Sequence, residues 1–115
     1  LFDGAPVWSR AIDVTPAQIG QGLRAVSLSA DAQRLLALGD DAGPIDLQGV
    51  RLQSFAAADG APQWTATWNQ GSPSANPPMD VLEHGPSRSV YVLSRLNFGI
   101  YLVACLDAVS GQQRW

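Results

Sequence analysis

Residues 54–68 read SFAAADGAPQWTATW, with Gly60 four residues before Trp64. The same interval separates Gly4 from Trp8 in FDGAPVW and Gly111 from Trp115 in AVSGQQRW. Three of the four Trp in the chain therefore obey one spacing rule. A recurring interval of this kind marks a repeated structural unit, and a repeat decides the fold before any local reading does.

Sliding the chain on itself extends the match. The segment from Trp8, WSRAIDVTPAQIGQGLRAVSLSADAQRLLALG, meets the segment from Trp64, WTATWNQGSPSANPPMDVLEHGPSRSVYVLS. GVRLQSFAAADGAPQW then meets IYLVACLDAVSGQQRW. The period is roughly 50 residues, in the range of propeller blades.

The alignment resolves an ambiguity. By itself SADAQRLLALGDD suits a short helix, with Ser29 or Asp31 as a cap and Gly39 as a stop. Its partner PSRSVYVLS carries Val90, Tyr91 and Val92 in a row, residues that favour strands. Equivalent segments share a conformation, so both are read as strands.

Each repeat then holds four strands. They are expected at about 23–28, 33–38, 50–57 and 62–68, and again at about 79–83, 88–94, 99–106 and 112–115. Residues 1–12, with a strand over about 6–12, supply the outer strand of a preceding unit. Turn chemistry separates these runs in SAD, GDDAGP, ADG, HGPS and VSG. Pro77 and Pro78 exclude a central strand from NQGSPSANPP, which reads as a loop. The expected fold is all-β: a β-propeller segment of about two four-stranded antiparallel blades, spanning about 20–68 and 79–115, plus one leading strand.

The opening interval then has a physical reading. Gly60 and Gly111 supply the positive φ that a turn between a third and a fourth strand requires. The Trp that follows starts the outer strand and lies across a neighbouring blade. A large ring buries about 150–250 Å², a major share of such a contact.

CLDAVSGQQRW resembles the blade signature of pyrroloquinoline-quinone-type propeller repeats. Cys105, Asp107, Ser110, Gly111 and Trp115 match that signature in order. SFAAADGAPQW keeps Gly60 and Trp64, with Ala56 in place of the Asp and Asp59 in place of the Thr. LSADAQRLLALG and GPSRSVYVLS are similar to a hairpin common in bacterial propeller repeats. The resemblance implies the fold, with Gly4, Trp8, Gly60, Trp64, Asp107, Gly111 and Trp115 as structural blade positions. It does not imply the cofactor. Quinone dehydrogenases of this fold carry adjacent cysteines, Ca²⁺ ligands and a catalytic Asp, and this chain has one Cys and no such constellation.

Composition excludes other classes. Net charge is −3 and all seven basic residues are Arg, with no stripe that would follow a phosphate backbone. No run reaches the roughly 18 apolar residues of a membrane span. The first residues carry no basic-then-apolar leader pattern. The chain opens inside one Gly-to-Trp motif and closes on another, so further blades are expected, from a longer chain or from other copies.

Candidate chemistry is sparse. Cys105 sits in the apolar run YLVACLD and reads as a buried, inert thiol. Asp40, Asp41 and Asp46 crowd GDDAGPID, where three carboxylates offer oxygen ligands to Ca²⁺, yet Asp-rich turns are ordinary. His84 stands beside Gly85 and Pro86 as an exposed turn residue, and Glu83 is the only Glu. Neither forms a metal set or a nucleophile pair with what surrounds it. Ser27, Ser29, Ser54, Ser87 and Ser89 lie in no nucleophile elbow. Asn97, Phe98, Tyr101 and Tyr91 suit either strand packing or a sugar-binding surface.

The expected function is a non-catalytic propeller scaffold for protein–protein contact, periplasmic or extracellular, with no catalytic, cofactor or metal residue assigned. Two alternatives stand beside it. One is part of a quinone- or metal-dependent oxidoreductase whose active site lies in other blades. The other is a glycan-binding propeller.

Overall fold

The computed structural model describes residues 7–9, 23–42, 48–69, 78–97 and 100–115. Seven strands follow one another: β1 (Leu23–Leu28), β2 (Arg34–Ala42), β3 (Gln48–Ala56), β4 (Pro62–Asn69), β5 (Pro78–His84), β6 (Ser89–Asn97) and β7 (Ile100–Asp107). They form one antiparallel sheet in the order β1-β2-β3-β4 and a second in the order β5-β6-β7. Among the described residues there is no helix, so the fold is all-β.

β2 is the segment whose composition also suits a helix. Pairing on both edges, Leu36 with Ser27 and Ser54 and Leu38 with Ala25 and Leu52, overrides that propensity. In an isolated peptide Leu and Ala favour helix; here tertiary contacts decide.

The core lies between the two sheets. Leu36, Leu38, Val50 and Leu52 of the first pack with Val81, Val90, Val92 and Leu106 of the second. β5 rests against β1 and β2. The opposite face of β3 is buried as well, with Phe55 and Gln53 both covered. A strand buried on both faces explains why the alternation in VRLQSF is weak in hydropathy although it is regular in direction.

The hairpins that close β3–β4 and β7 share one construction. The Gly60 amide donates to the Ala56 carbonyl, and the Gly111 amide to the Asp107 carbonyl, both at 2.8 Å. Each is a single i→i+4 turn ended by a glycine in the left-handed region, with φ of +71° at Gly60 and +73° at Gly111. Each turn is tied to its neighbour hairpin: Ala57 N–H donates to Gln33 at 2.8 Å, and Ala108 N–H to Arg88 at 2.9 Å.

The second unit departs from expectation in its last element. Residues 112–115 do not form a strand. Gln113 makes an isolated bridge to Leu106. The Trp115 carbonyl accepts from the Cys105 amide at 2.8 Å, so the tail runs beside β7 too briefly to build a ladder. Gly4, most of the leading strand, Asp46, residues 70–77 and Phe98 lie outside the described residues.

Candidate functional site

The recurring Trp makes a recurring contact. Trp64 lies on β4, cross-strand from Ser54 and on the face that carries Leu36. Its indole crosses to the second sheet, where Nε1 donates to the Ala108 carbonyl at 3.0 Å. Trp8 makes a bond of the same kind: Nε1 donates to the Ala57 carbonyl at 2.9 Å. Ala57 and Ala108 are equivalent, each the second residue of an i→i+4 turn, directly after its strand. Each Trp therefore bonds a turn carbonyl far along the chain, 49 residues on for Trp8 and 44 for Trp64. Each such hydrogen bond adds about 1 kcal/mol to the ring burial.

Asp107 shapes the second turn. Its Oδ1 accepts from the amides of Val109 (3.0 Å) and Ser110 (2.9 Å) and from Ser110 Oγ (3.1 Å). Its Oδ2 accepts from Arg114 Nη2 at 2.6 Å. The Ser110 amide, then Arg114, then the Val109 amide hold this carboxyl well below the ordinary carboxylate range. Arg114 also donates to Ser89 Oγ at 2.7 Å and to the Ser87 carbonyl at 3.1 Å, which pins the tail to the β5–β6 hairpin. In the first unit Ala56 stands in the Asp107 position, and Asp59 substitutes by accepting from the Ala61 amide at 2.9 Å.

The same equivalence identifies an open surface. The face of the first sheet that packs on the second carries Leu36, Leu38, Leu52 and Trp64. By strand register its counterparts are Tyr91, Leu93, Val103 and Trp115, on the outer face of the second sheet. Leu36, Leu38 and Leu52 are fully buried, whereas Val103 is 46% and Trp115 63% exposed. Leu82 and Tyr101 join this face and are exposed too. A shallow apolar cavity of about 250 Å³ opens there, between Leu82, Tyr91, Leu93 and Val103. Tyr91 and Trp115 stand with ring centroids 6.1 Å apart, within the usual range of an aromatic pair.

At the seam between the sheets the structure brings together a pair that spacing does not reveal. Arg34 Nη2 meets Glu83 Oε1 at 2.5 Å, with the Glu83 side chain only 2% exposed. The partners lie 49 residues apart in sequence, one on each unit. The one available signal is that Glu83 is the only Glu in the chain.

The remaining candidates stay apart. His84 ends β5 and is exposed, with Nδ1 2.8 Å from Ser87 Oγ. Cys105 is buried. Among the described residues no group of His, Cys, Asp or Glu is arranged to hold a metal ion. Of Asp40, Asp41 and Asn97 the backbone alone is described, each on a strand. Tyr101 and Tyr91 share the outer face of the second sheet but sit on different strands.

No family model, curated protein or solved structure matches the chain.

Proposed function

We propose that the chain is two successive units of a β-propeller of the quinoprotein-type repeat class, serving as a non-catalytic scaffold for protein–protein contact in the cell envelope or outside the cell. One observation carries this reading: the Trp8 indole meets Ala57 as the Trp64 indole meets Ala108. A contact made head to tail, by one face of a unit on the opposite face of the next, can repeat from unit to unit, and where the rotation closes it gives a ring. The outer face of the second sheet, with Tyr91, Leu93, Val103 and Trp115, fits the same role towards a third unit. Further blades, from the same parent chain or from other copies, are its natural cover, because its register counterparts Leu36, Leu38 and Leu52 in the first sheet are fully buried.

The test is direct imaging of the full-length protein by electron microscopy, joined to cross-linking in intact cells and cell fractionation. A closed ring of radial blades, enriched outside the cytoplasm and cross-linked to a second protein, is the expected outcome. An open two-sheet sandwich with Trp115 in solvent overturns the propeller. Turnover of an alcohol or sugar with bound quinone overturns the scaffold while leaving the fold intact.

A further inference from the structure

The seam between the two sheets has two halves. One is the face of the first sheet that carries Leu36, Leu38, Leu52 and Trp64. The other is the face of the second that carries Val81, Glu83, Val90 and Leu106, with Ala108 beside it. Both halves recur on the outside of the molecule. The first recurs as Tyr91, Leu93, Val103 and Trp115 on the outer face of the second sheet. The second recurs on the far face of the first sheet. There strand register sets Val26 in the place of Val81 and Leu28 in that of Glu83, and the turn sets Ala57 in that of Ala108.

The recurring halves are open where the originals are closed. Val81 and Glu83 are buried, whereas Val26 is 50% and Leu28 54% exposed. β5, the strand of Val81 and Glu83, is the one that rests against the first sheet. By the same geometry β1, the strand of Val26 and Leu28, is the strand that a copy of the outer face would meet. The two open halves lie on opposite sides of the stacked sheets, so they meet only between molecules. Charge does not oppose the match. Ser89 is the register counterpart of Arg34, so the copied seam sets it against Leu28 and buries no ion.

One contact of the copied seam is already taken. Trp8 Nε1 holds the Ala57 carbonyl at 2.9 Å. That turn ends on Gly60 at φ +71°, as the turn under the Trp64 ring ends on Gly111 at φ +73°. Trp8 and Trp115 each follow a Gly by four residues, so they are alternative occupants of one place.

We propose that a second copy of this chain covers the outer face of the second sheet, with its β1 against Leu82, Tyr91 and Leu93, and that Trp115 takes the Ala57 carbonyl of that copy from its Trp8. Trp8 is then an internal competitor that sets how tightly copies associate. The inference rests on the equivalence of units used in the functional reading, and it commits the cover of this face to one source.

The experiment is sedimentation velocity of the chain over a range of concentrations, where reversible head-to-tail association is expected. Trp115→Ala and Leu28→Glu each change an exposed side chain, so the melting temperature is kept. Each is expected to weaken association about tenfold or more. An equimolar mixture of the two variants is expected to recover a dimer and nothing larger, because the intact outer face of one meets the intact β1 face of the other. Trp8→Phe keeps a ring and gives up the bond to Ala57, and is expected to tighten association about fivefold, the worth of one hydrogen bond. Wild type and Trp8→Phe that both stay monomeric, association untouched by Leu28→Glu, a mixture that stays monomeric, or weaker association in Trp8→Phe overturns the proposal. A ring closed within one longer chain whose copies stay apart overturns it too and leaves the propeller reading intact. Copies that associate in the expected pattern without a closed ring support it where that reading fails.

Discussion

Trp64 leaves no room for a side chain at Gly111. A Cβ there would stand 2.5 Å from Cε3 and 2.7 Å from Cδ2 of the indole, on a residue whose φ is +73°. The glycine is thus required twice over, by backbone handedness and by the ring laid on it. Gly111→Ala is expected to cost about 2–4 kcal/mol, from left-handed strain plus overpacking. Gly85→Ala is the control: its Cβ would meet only the Ala30 Cβ at 3.1 Å, and Gly85 has no positive φ. Urea midpoints compare the two, and equal losses would show that the ring does not seat on the turn.

The indole N–H and the ring separate by substitution. Trp64→Phe keeps an aromatic ring and leaves the Ala108 carbonyl unpaired, at a cost of about 1–3 kcal/mol. Trp64→Ala removes the ring as well, at a cost of about 3–5 kcal/mol. In the 115-residue chain Trp115→Ala is expected to cost under about 1 kcal/mol, because that ring is 63% exposed. Denaturant unfolding orders the three variants, and a Trp115→Ala loss as large as that of Trp64→Ala contradicts the assignment of its open face.

Arg34 and Glu83 form a seam pair whose single removal is worse than its joint replacement. Glu83→Gln or Arg34→Met alone leaves an uncompensated charge or polar group and is expected to cost about 3–5 kcal/mol. The double variant Arg34→Met, Glu83→Leu is expected to recover most of that loss. A double-mutant cycle on unfolding free energies measures the coupling. Additive losses would mean that the two groups do not act as a pair.

Asp107 links stability to acid pH. Its folded-state carboxyl is depressed below the ordinary value by the Ser110 amide, Arg114 and the Val109 amide. Its contribution is therefore complete above the unfolded carboxylate pKa of about 3.9 and is lost as pH falls through the lower folded value. Melting temperatures taken from pH 5 downwards are expected to fall below pH 4, and Asp107→Asn is expected to flatten that part of the curve. A side-chain titration midpoint at the ordinary carboxylate value would remove the basis for this expectation.

Strand placement was legible because turn residues and repeat alignment act locally. β1 falls at Leu23–Leu28, the span expected for it, and β7 at Ile100–Asp107 against an expected 99–106. For β2 only the alignment with PSRSVYVLS points to a strand, since Leu35 to Leu38 suit either conformation. The short tail at Gln112–Trp115 reads as a strand because its Trp matches a strand position, whereas the structure gives it one isolated bridge, from Gln113 to Leu106. The Arg34–Glu83 pair was invisible for a different reason. A contact across 49 residues depends on how two sheets stack, and no local periodicity encodes it. Arg114 is a similar case: its three acceptors, Asp107, Ser87 and Ser89, converge only after the tail folds back.

The reach of each Trp also sets a timetable. Trp64 finds its carbonyl at Ala108, 44 residues further along. A ribosome adding about 5–20 residues per second leaves roughly 2–9 s between the two. Throughout that interval the nascent first sheet presents Leu36, Leu38, Val50 and Leu52 with nothing to cover them. Slower translation between these two positions lengthens the window in which the half-made protein is adhesive, so chaperone demand during synthesis follows the spacing of its tryptophans.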